Sequence, residues 1–322
     1  SLLAETEGAK VRAGYYFYDF NGKITHKFSE RSRLYASYYM GDDKVYARIR
    51  YDESYNGDIY RETMNMNMNW GNIVGSLRWN YVINPQLFMN ITGSFTRYRN
   101  DIGMGLEYYG EYEDYEGAFR HEEESMEMTY KSGIRDYAIR ADFDYSPDPS
   151  HSIKFGGSMT HHVFTPEVLG MKLQLDYSDE MGNYGIDTTL GQSVVHANEI
   201  NIFAEDDWSI TEALKLNAGL TLSGFAVEGT FYPSIQPRLS GRWLLSDDFS
   251  AKFGYAYMTQ YLHLLSTSGI SMPTDLWVPV TARIAPMNAH QVAAGLAYNL
   301  MSILDLSIEG YYKSMDNLME YK

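Results

Sequence analysis

The chain has 322 residues, of which 44% are hydrophobic and 15% aromatic, with no cysteine and a formal net charge of −16. The lack of Cys excludes disulfides and thiolate metal sites, and the acidic balance argues against nucleic-acid binding, which needs clustered Lys and Arg. No run of eighteen apolar residues occurs. This excludes transmembrane helices but leaves a transmembrane β-barrel open, because apolar and polar residues alternate along barrel strands.

Alternation of apolar and polar residues predicts β-strands through most of the chain. No charge stands on the apolar face of the clearest segments, which are, in chain order, 137–145, 214–222, 249–257, 292–300 and 304–312. We expect about twelve strands in six hairpins, beginning near residue 12 and ending near residue 318. Neither a linker nor a second domain is predicted.

The predicted connections alternate between short and long. Short turns with Pro, Asp, Asn or Ser, or between two strong strands, are expected at 29–33, 84–86, 146–151, 209–213, 245–248 and 301–303. Long polar connections are expected at 52–59, 105–125, 166–196 and 264–288, with one short exception near 228–230. This order is typical of outer-membrane barrels, which have tight periplasmic turns and long external loops.

Aromatic residues gather near the short turns, as they do where the outer surface of a barrel meets lipid headgroups. The set comprises Trp79, Tyr81, Phe143, Tyr145, Trp208, Trp243, Phe249 and Tyr298. The pattern favours an all-β, transmembrane antiparallel barrel. Two alternatives stay open: a smaller closed barrel acting as a passive channel or an enzyme, and a soluble β-sandwich binding module.

Several hairpins resemble those of TonB-dependent outer-membrane receptors of the Bacteroidota type. The resemblance is carried by "INIFAEDDWSITEALKLNAGLTLSGF" (200–225), "SIQPRLSGRWLLSDDFSAKFGYAYMTQY" (234–261) and "MNAHQVAAGLAYNL" (287–300). It implies a 22-stranded barrel, of which residues 1–322 would be an interior part of about twelve strands, without plug domain or signal peptide.

The same resemblance implies energy-coupled import of a scarce nutrient, such as a glycan, a peptide, an iron chelate or cobalamin. The implied partners are outer-membrane lipid, a plug domain, the inner-membrane TonB energy-transducing protein and a small nutrient ligand. No cofactor, no enzymatic activity and no nucleic-acid partner are expected.

Residues 105–125 contain Tyr and acidic side chains that are suited to capture a ligand at the external mouth of a barrel. The candidate ligand-binding residues are Tyr108, Tyr109, Glu111, Tyr112, Glu113 and Tyr115, together with Trp277 in the connection 264–288. A solvated acidic loop with no ligand is the alternative interpretation.

Other polar positions are assigned to the lumen by their parity in the strands. These are Arg140, Asp142, Asp144, Lys215, Lys252 and Glu309. The alternating Met64, Met66 and Met68 would also face the lumen unless a bulge occurs near Gly71, and they could either contact a ligand or pack at the rim. His161 and His162 are adjacent in a predicted strand and so point to opposite faces, and neither a metal site nor a catalytic site is predicted.

Overall fold

The computed structural model describes residues 2–6, 8–177, 183–191, 194–265, 276–300 and 303–319. No helix within these ranges is long and apolar enough to cross a membrane.

Twelve strands have twelve or more residues, which agrees with the predicted number. They are β2 (Ala9–Ser29), β3 (Ser32–Tyr55), β4 (Asp58–Asn84), β5 (Leu87–Glu113), β6 (Phe119–Asp148), β7 (His151–Tyr177), β9 (Val195–Ser209), β10 (Leu214–Val227), β11 (Thr230–Leu244), β12 (Phe249–Gln260), β15 (Met287–Leu300) and β16 (Leu304–Asp316).

Four shorter strands complete the described structure, namely β1 (Leu2–Thr6), β8 (Asn183–Gly191), β13 (Leu262–Leu265) and β14 (Leu276–Pro279). All strands except β13 and β14 belong to one antiparallel sheet, in which neighbours in the chain pair in order and β8 adds to β7. A single continuous sheet excludes the β-sandwich alternative, which needs two packed sheets.

The sheet does not close on itself within the described residues. On the first side, β2 pairs with β1 only over Ala9–Ala13, which leaves the rest of that edge unpaired. On the other side, β16 pairs only with β15. A closed barrel made of these twelve strands alone is therefore not what the chain forms here.

The predicted short turns at 29–33, 84–86, 146–151, 209–213 and 245–248 each lie between two long strands. Residues 301 and 302 of the sixth predicted turn lie outside the described residues. Side-chain oxygens accept hydrogen bonds from turn amides at several of the short turns: Asn84 from the Gln86 N–H at 2.8 Å, Asp148 from the Ser150 N–H at 2.8 Å, and Thr211 from the Leu214 N–H at 3.0 Å. These local bonds explain why Asn, Asp and Thr mark the turns in the sequence.

Three of the predicted long connections differ from the sequence-based expectation, because the strands continue through most of them. Residues 52–59 form a hairpin with only Asn56 and Gly57 between the strands, both at positive φ. The connection expected at 105–125 shrinks to 114–118, and most of 166–196 belongs to β7 and β8. Strand assignment from a lipid-facing apolar face misses these extensions because the corresponding face is polar in them.

The two faces of the sheet differ near the short turns. One face carries the exposed side chains of Leu77, Trp79, Ile139, Leu220 and Leu222, and we call it the outer face. We call the opposite face the inner face. The predicted aromatics lie on the outer face near the turns: Trp243 pairs with Leu214, Trp208 pairs with Leu216, and Tyr298 pairs with Phe249. An exposed apolar face edged by aromatics is the surface that contacts lipid in a membrane barrel.

The hairpin β13–β14 folds over the inner face at the far end from the short turns. Val280, which follows β14, is fully buried with Phe164 and Phe225, and the Tyr261 ring stacks on Phe225 with centroids 5.1 Å apart. The Tyr232 hydroxyl donates a hydrogen bond of 2.8 Å to the Thr281 carbonyl. The chain thereby covers the inner face of β7, β9 and β10 with its own residues.

Candidate functional site

The strands β3 to β7 extend far beyond the apolar outer face. They have 24 to 30 residues, whereas about ten residues suffice to cross a bilayer. We call the outer arm the part of these strands beyond the cross-strand row Asp42–Gly71–Arg99–Gly133, with β8 added. It comprises residues 43–55, 58–70, 100–113, 119–132, 168–177 and 183–191.

Apolar side chains form continuous cross-strand rows on the inner face of the outer arm. One row is Ile49–Met64–Leu106–Met126–Leu173–Ile186, and the next is Ala47–Met66–Met104–Met128–Met171–Thr188. Directly paired residues share a face, so the two rows form one surface. We call it the Met–Leu panel, and it consists of Met64, Met66, Met104, Leu106, Met126, Met128, Met171 and Leu173.

The panel is open. Met64, Met104 and Leu106 are 48%, 47% and 51% exposed. The pairing of β3 with β4 and of β4 with β5 runs without a shift near Gly71, so the methionines of β4 lie on the same face as the polar inner residues nearer the turns. As the sequence predicts, the side chains of Met64, Met66 and Met68 therefore lie on the face opposite Leu77 and Trp79.

The outer face of the outer arm is polar. Asp52 bonds to the guanidinium groups of Arg50 at 2.8 Å and Arg61 at 3.0 Å, and these bonds lower the pKa of the Asp52 carboxyl to about 2. Asp42 bonds to Arg99 at 2.7 Å at the base of the arm. Ion pairs that are open to water fit a surface above the membrane.

Strand alternation divides the predicted capture residues between the two faces. Tyr108 and Tyr112 point to the inner face, because Tyr108 pairs with Glu62 and Glu124 one row beyond the Met–Leu panel. Tyr109, Glu111 and Glu113 point to the outer face. Tyr115 stands exposed in the turn 114–118. The six residues of this segment therefore cannot converge on one ligand.

The two neighbouring tyrosines illustrate the division. The Tyr109 hydroxyl donates a 2.9 Å hydrogen bond to Glu111, and this bond raises its pKa. Burial raises the pKa of Tyr108, and nearby carboxylates, including Glu122, Glu124 and Glu62, raise it further. Tyr112 donates a 2.6 Å bond to Glu122. The inner rim of the arm thus carries tyrosine hydroxyls beside glutamate side chains.

The inner face of the arm forms an open cavity at this rim. Its volume is about 420 Å³, and its lining includes Met64, Leu106, Met126 and Leu173 of the apolar rows with Glu62, Tyr108 and Glu124 of the next row. Cavities of this size hold small ligands in other proteins. The arrangement offers an apolar floor with an acidic and phenolic edge.

Trp277 lies elsewhere, in β14, whose hairpin packs over β6 and β7. It is half-buried and pairs with Leu264. It is thus in a different part of the structure from the tyrosines of β5.

The residues predicted to face the lumen all lie on the inner face. Arg140 bonds to Asp142 at 2.7 Å, Asp144 pairs with Lys154, and Arg242 stands between Lys215 and Lys252 in one row that ends at Glu309. These groups make the inner face hydrophilic near the short turns.

His161 and His162 take opposite faces as expected. His161 Nδ1 lies 2.9 Å from the Asn198 side chain. His162 is buried on the inner face, with Nδ1 2.8 Å from Asp136 and Nε2 3.6 Å from Glu199. Among the described residues, no group of three or more His, Cys, Asp or Glu side chains is placed to hold a metal ion.

The apolar rows and the buried His162 contacts were not among the residues selected from the sequence. The rows have a sequence signal, because "IGMGL" (102–106), "MEM" (126–128) and "LGMKL" (169–173) repeat the alternation of "MNMNM" (64–68). His162 has none, because Asp136 and Glu199 reach it only through the pairing of β6, β7 and β9.

Comparison with known proteins agrees with this architecture. No curated protein sequence matches the chain. The structure is similar to the ferric-catecholate import receptor Fiu of E. coli K12, with a TM-score of 0.50, 9% identity, and coverage of 96% of this chain and 58% of that one. It is also similar to the siderophore receptor PiuA of Acinetobacter baumannii, with a TM-score of 0.48, 8% identity, and coverage of 97% and 57%.

The chain thus spans less than two thirds of the length of these receptors. A family model for the TonB dependent receptor-like β-barrel matches residues 6–321. Barrels of this family are outer-membrane proteins, and its members are transporters and not enzymes. The match covers almost the whole sequence, so this chain belongs to the TonB-dependent receptor-like β-barrel family and is part of the wall of an outer-membrane barrel.

Proposed function

We propose that this chain is an interior part of the barrel of a receptor that imports a scarce nutrient with energy from the inner-membrane TonB protein. The nutrient would be a glycan, a peptide, an iron chelate or cobalamin. The observation that carries the proposal is the family match over residues 6–321, together with an exposed apolar outer face and a hydrophilic inner face in one sheet.

The open edges of the sheet support the view that further strands complete the barrel. Unpaired backbone groups of β2 and β16 would be costly in hydrocarbon, where no water can satisfy them. Additional strands that pair with both edges would remove this cost. The charged inner-face groups near Arg140, Lys215 and Lys252 would then contact a plug domain and line a wet path.

Uptake measurements test the transport function. Cells that carry or lack the gene would be supplied in turn with a labelled glycan, peptide, iron chelate and cobalamin, with and without a functional TonB protein. We expect uptake of one class, lost when either the receptor or TonB is absent. Uptake that persists without TonB, together with steady conductance in planar bilayers, would instead indicate a passive channel.

A further inference from the structure

Beyond the level of the apolar outer face, one region of the inner face is covered by the chain itself and another region is open. Over β7, β9 and β10 the hairpin β13–β14 covers the inner face, and Phe164 and Phe225 are fully buried there. Over β4 to β7 of the outer arm, the Met–Leu panel has no such cover among the described residues. Met64, Met104 and Leu106 are about half exposed, and the other panel side chains are partly buried. Exposed apolar surfaces of this kind mark binding sites more often than random surface does.

The composition of the panel is suited to binding apolar molecules of different shapes. Five of its eight members, Met64, Met66, Met104, Met126 and Met128, are methionines on three neighbouring strands, and a sixth methionine follows in β7. Unbranched thioether side chains adapt their shape to different apolar molecules. Met64 and Met126 line the 420 Å³ cavity, so this part of its floor is adjustable.

The edge of the cavity determines the polarity of the occupant. Glu62 and Glu124 flank Tyr108 in the row directly beyond Met64, Leu106 and Met126. The Glu124 carboxylate accepts a hydrogen bond from the Tyr177 hydroxyl and lines the cavity with Glu62. Among the arginines of the arm that bond to carboxylates, Arg50 and Arg61 point to the outer face. Arg120 lies on the inner face, but it bonds to Asp114 at 2.7 Å and is not part of the cavity lining. A positive group at this edge would complement both carboxylates.

We propose that the cavity binds an amphipathic cation, with its apolar body on the Met–Leu panel and its positive end between Glu62 and Glu124. This inference rests on the proposed function, because it names the substrate class that the receptor would capture before import. Successive strand residues are about 3.3 Å apart along the strand, so the acidic row lies about 7 Å from the first apolar row. A ligand of modest length would reach both.

The test uses the receptor that contains these residues, in lipid nanodiscs, and two fluorescent probes with the same apolar body. Dansylcadaverine carries a terminal ammonium, and the dansyl derivative of 6-aminohexanoate carries a terminal carboxylate. We expect the cationic probe to bind more tightly, with an affinity that falls as salt is added. Removal of both charges by Glu62→Gln and Glu124→Gln should weaken it about tenfold, which corresponds to about 1.4 kcal/mol.

Matched controls lie on the same strands and point to the opposite face. Glu123→Gln removes an acid next to Glu124 from the outer face and should leave binding unchanged. Leu106→Gln should weaken both probes, whereas Glu127→Gln, on the outer face and outside the cavity lining, should weaken neither. If the variants do not fold, the probe pair and the salt dependence of the unaltered receptor still decide the question.

Equal affinities for the two probes, or equal effects of Glu123→Gln and Glu124→Gln, would overturn the inference. Absence of binding would overturn it too, and would indicate that another part of the receptor covers the panel. Probe binding and TonB-dependent uptake are measured separately, so the two proposals can fail separately. Uptake without probe binding contradicts only the substrate class, whereas probe binding without TonB-dependent uptake contradicts the transport function.

Discussion

Strands β3 to β7 run from the short turns into the outer arm. Between these two regions the polarity of the outer face and that of the inner face are exchanged. Near the turns, the outer face carries Leu77 and Ile139, and the inner face carries Arg78 and Arg140. In the arm, the inner face carries Met64 and Leu106, and the outer face carries arginines and glutamates. Because the alternation continues without a register shift from Met64 to Trp79 of β4, the change lies in the residues and not in the backbone.

The reversal follows from what each face touches. Lipid surrounds the barrel at the level of the apolar outer face, so apolar side chains are stable there and charged ones are costly. Beyond the membrane, water surrounds the barrel, and polar side chains become favourable on the same face. Apolar residues then remain stable only on the inner face, where either the chain itself or a ligand can cover them. The polarity of a strand's outer face therefore depends on whether lipid or water surrounds the barrel at that height.

The largest effect is expected where the inner face is covered. Phe225→Ala would remove a fully buried ring that packs on Tyr261 and Val280, and we expect a loss of about 3–5 kcal/mol. Urea unfolding of the receptor in lipid vesicles, followed by Trp fluorescence, measures it. Phe231→Ala, which removes an exposed ring from the next strand, serves as control and should cost less than a third as much. Similar losses for both variants would show that the hairpin contributes no packing.

A charge on the outer face near the turns is expected to have the next largest effect. Leu220→Arg places a guanidinium where the structure has an exposed apolar side chain, and a loss of about 2–4 kcal/mol is expected for a position near the bilayer midplane. Thr221→Arg on the inner face of the same strand is the matched control. If the two variants unfold at the same urea concentration, the outer face does not contact lipid.

The same charge on the same face of the outer arm should be tolerated. Ser125→Arg lies beside Glu107 and Gln174 on the outer face, in the polar part of the surface, and we expect a change within about 0.5 kcal/mol. The unfolding measurement used for Leu220→Arg checks it. A loss as large as that of Leu220→Arg would place the membrane at the level of the arm and contradict the reversal of polarity.

The smallest effect concerns the ion pairs of the arm. Arg50 and Arg61 lower the pKa of Asp52 to about 2, so the charged carboxylate stabilises the fold above its ordinary pKa near 4, and this contribution is lost as the pH falls toward 2. Asp52→Asn should flatten the pH dependence of unfolding between about pH 4 and pH 2. The measurement is a series of unfolding curves at these pH values. An unchanged slope in the variant would show that the pair forms no net interaction.

The sequence by itself determined the number of long strands, their order in hairpins, the short turns and the lipid-facing apolar surface. These features depend on local chemistry, namely the two-residue period of a strand and the turn preferences of Asn, Asp, Pro and Ser, which Asn84 and Asp148 illustrate. The sequence also placed Met64, Met66 and Met68 on the face opposite Leu77 and Trp79. Parity along a single strand suffices for that.

Only the tertiary structure decided which residues meet. The Met–Leu panel requires the registers of three strand pairs, from β4 to β7. Tyr108 and Tyr109 separate because strand structure continues where a loop was expected. His162 meets Asp136 and Glu199 from strands that are 26 and 37 residues away in the chain. Alternation fixes the face of each side chain, whereas the neighbours on that face depend on strand register and on where the strands end, which no single segment encodes.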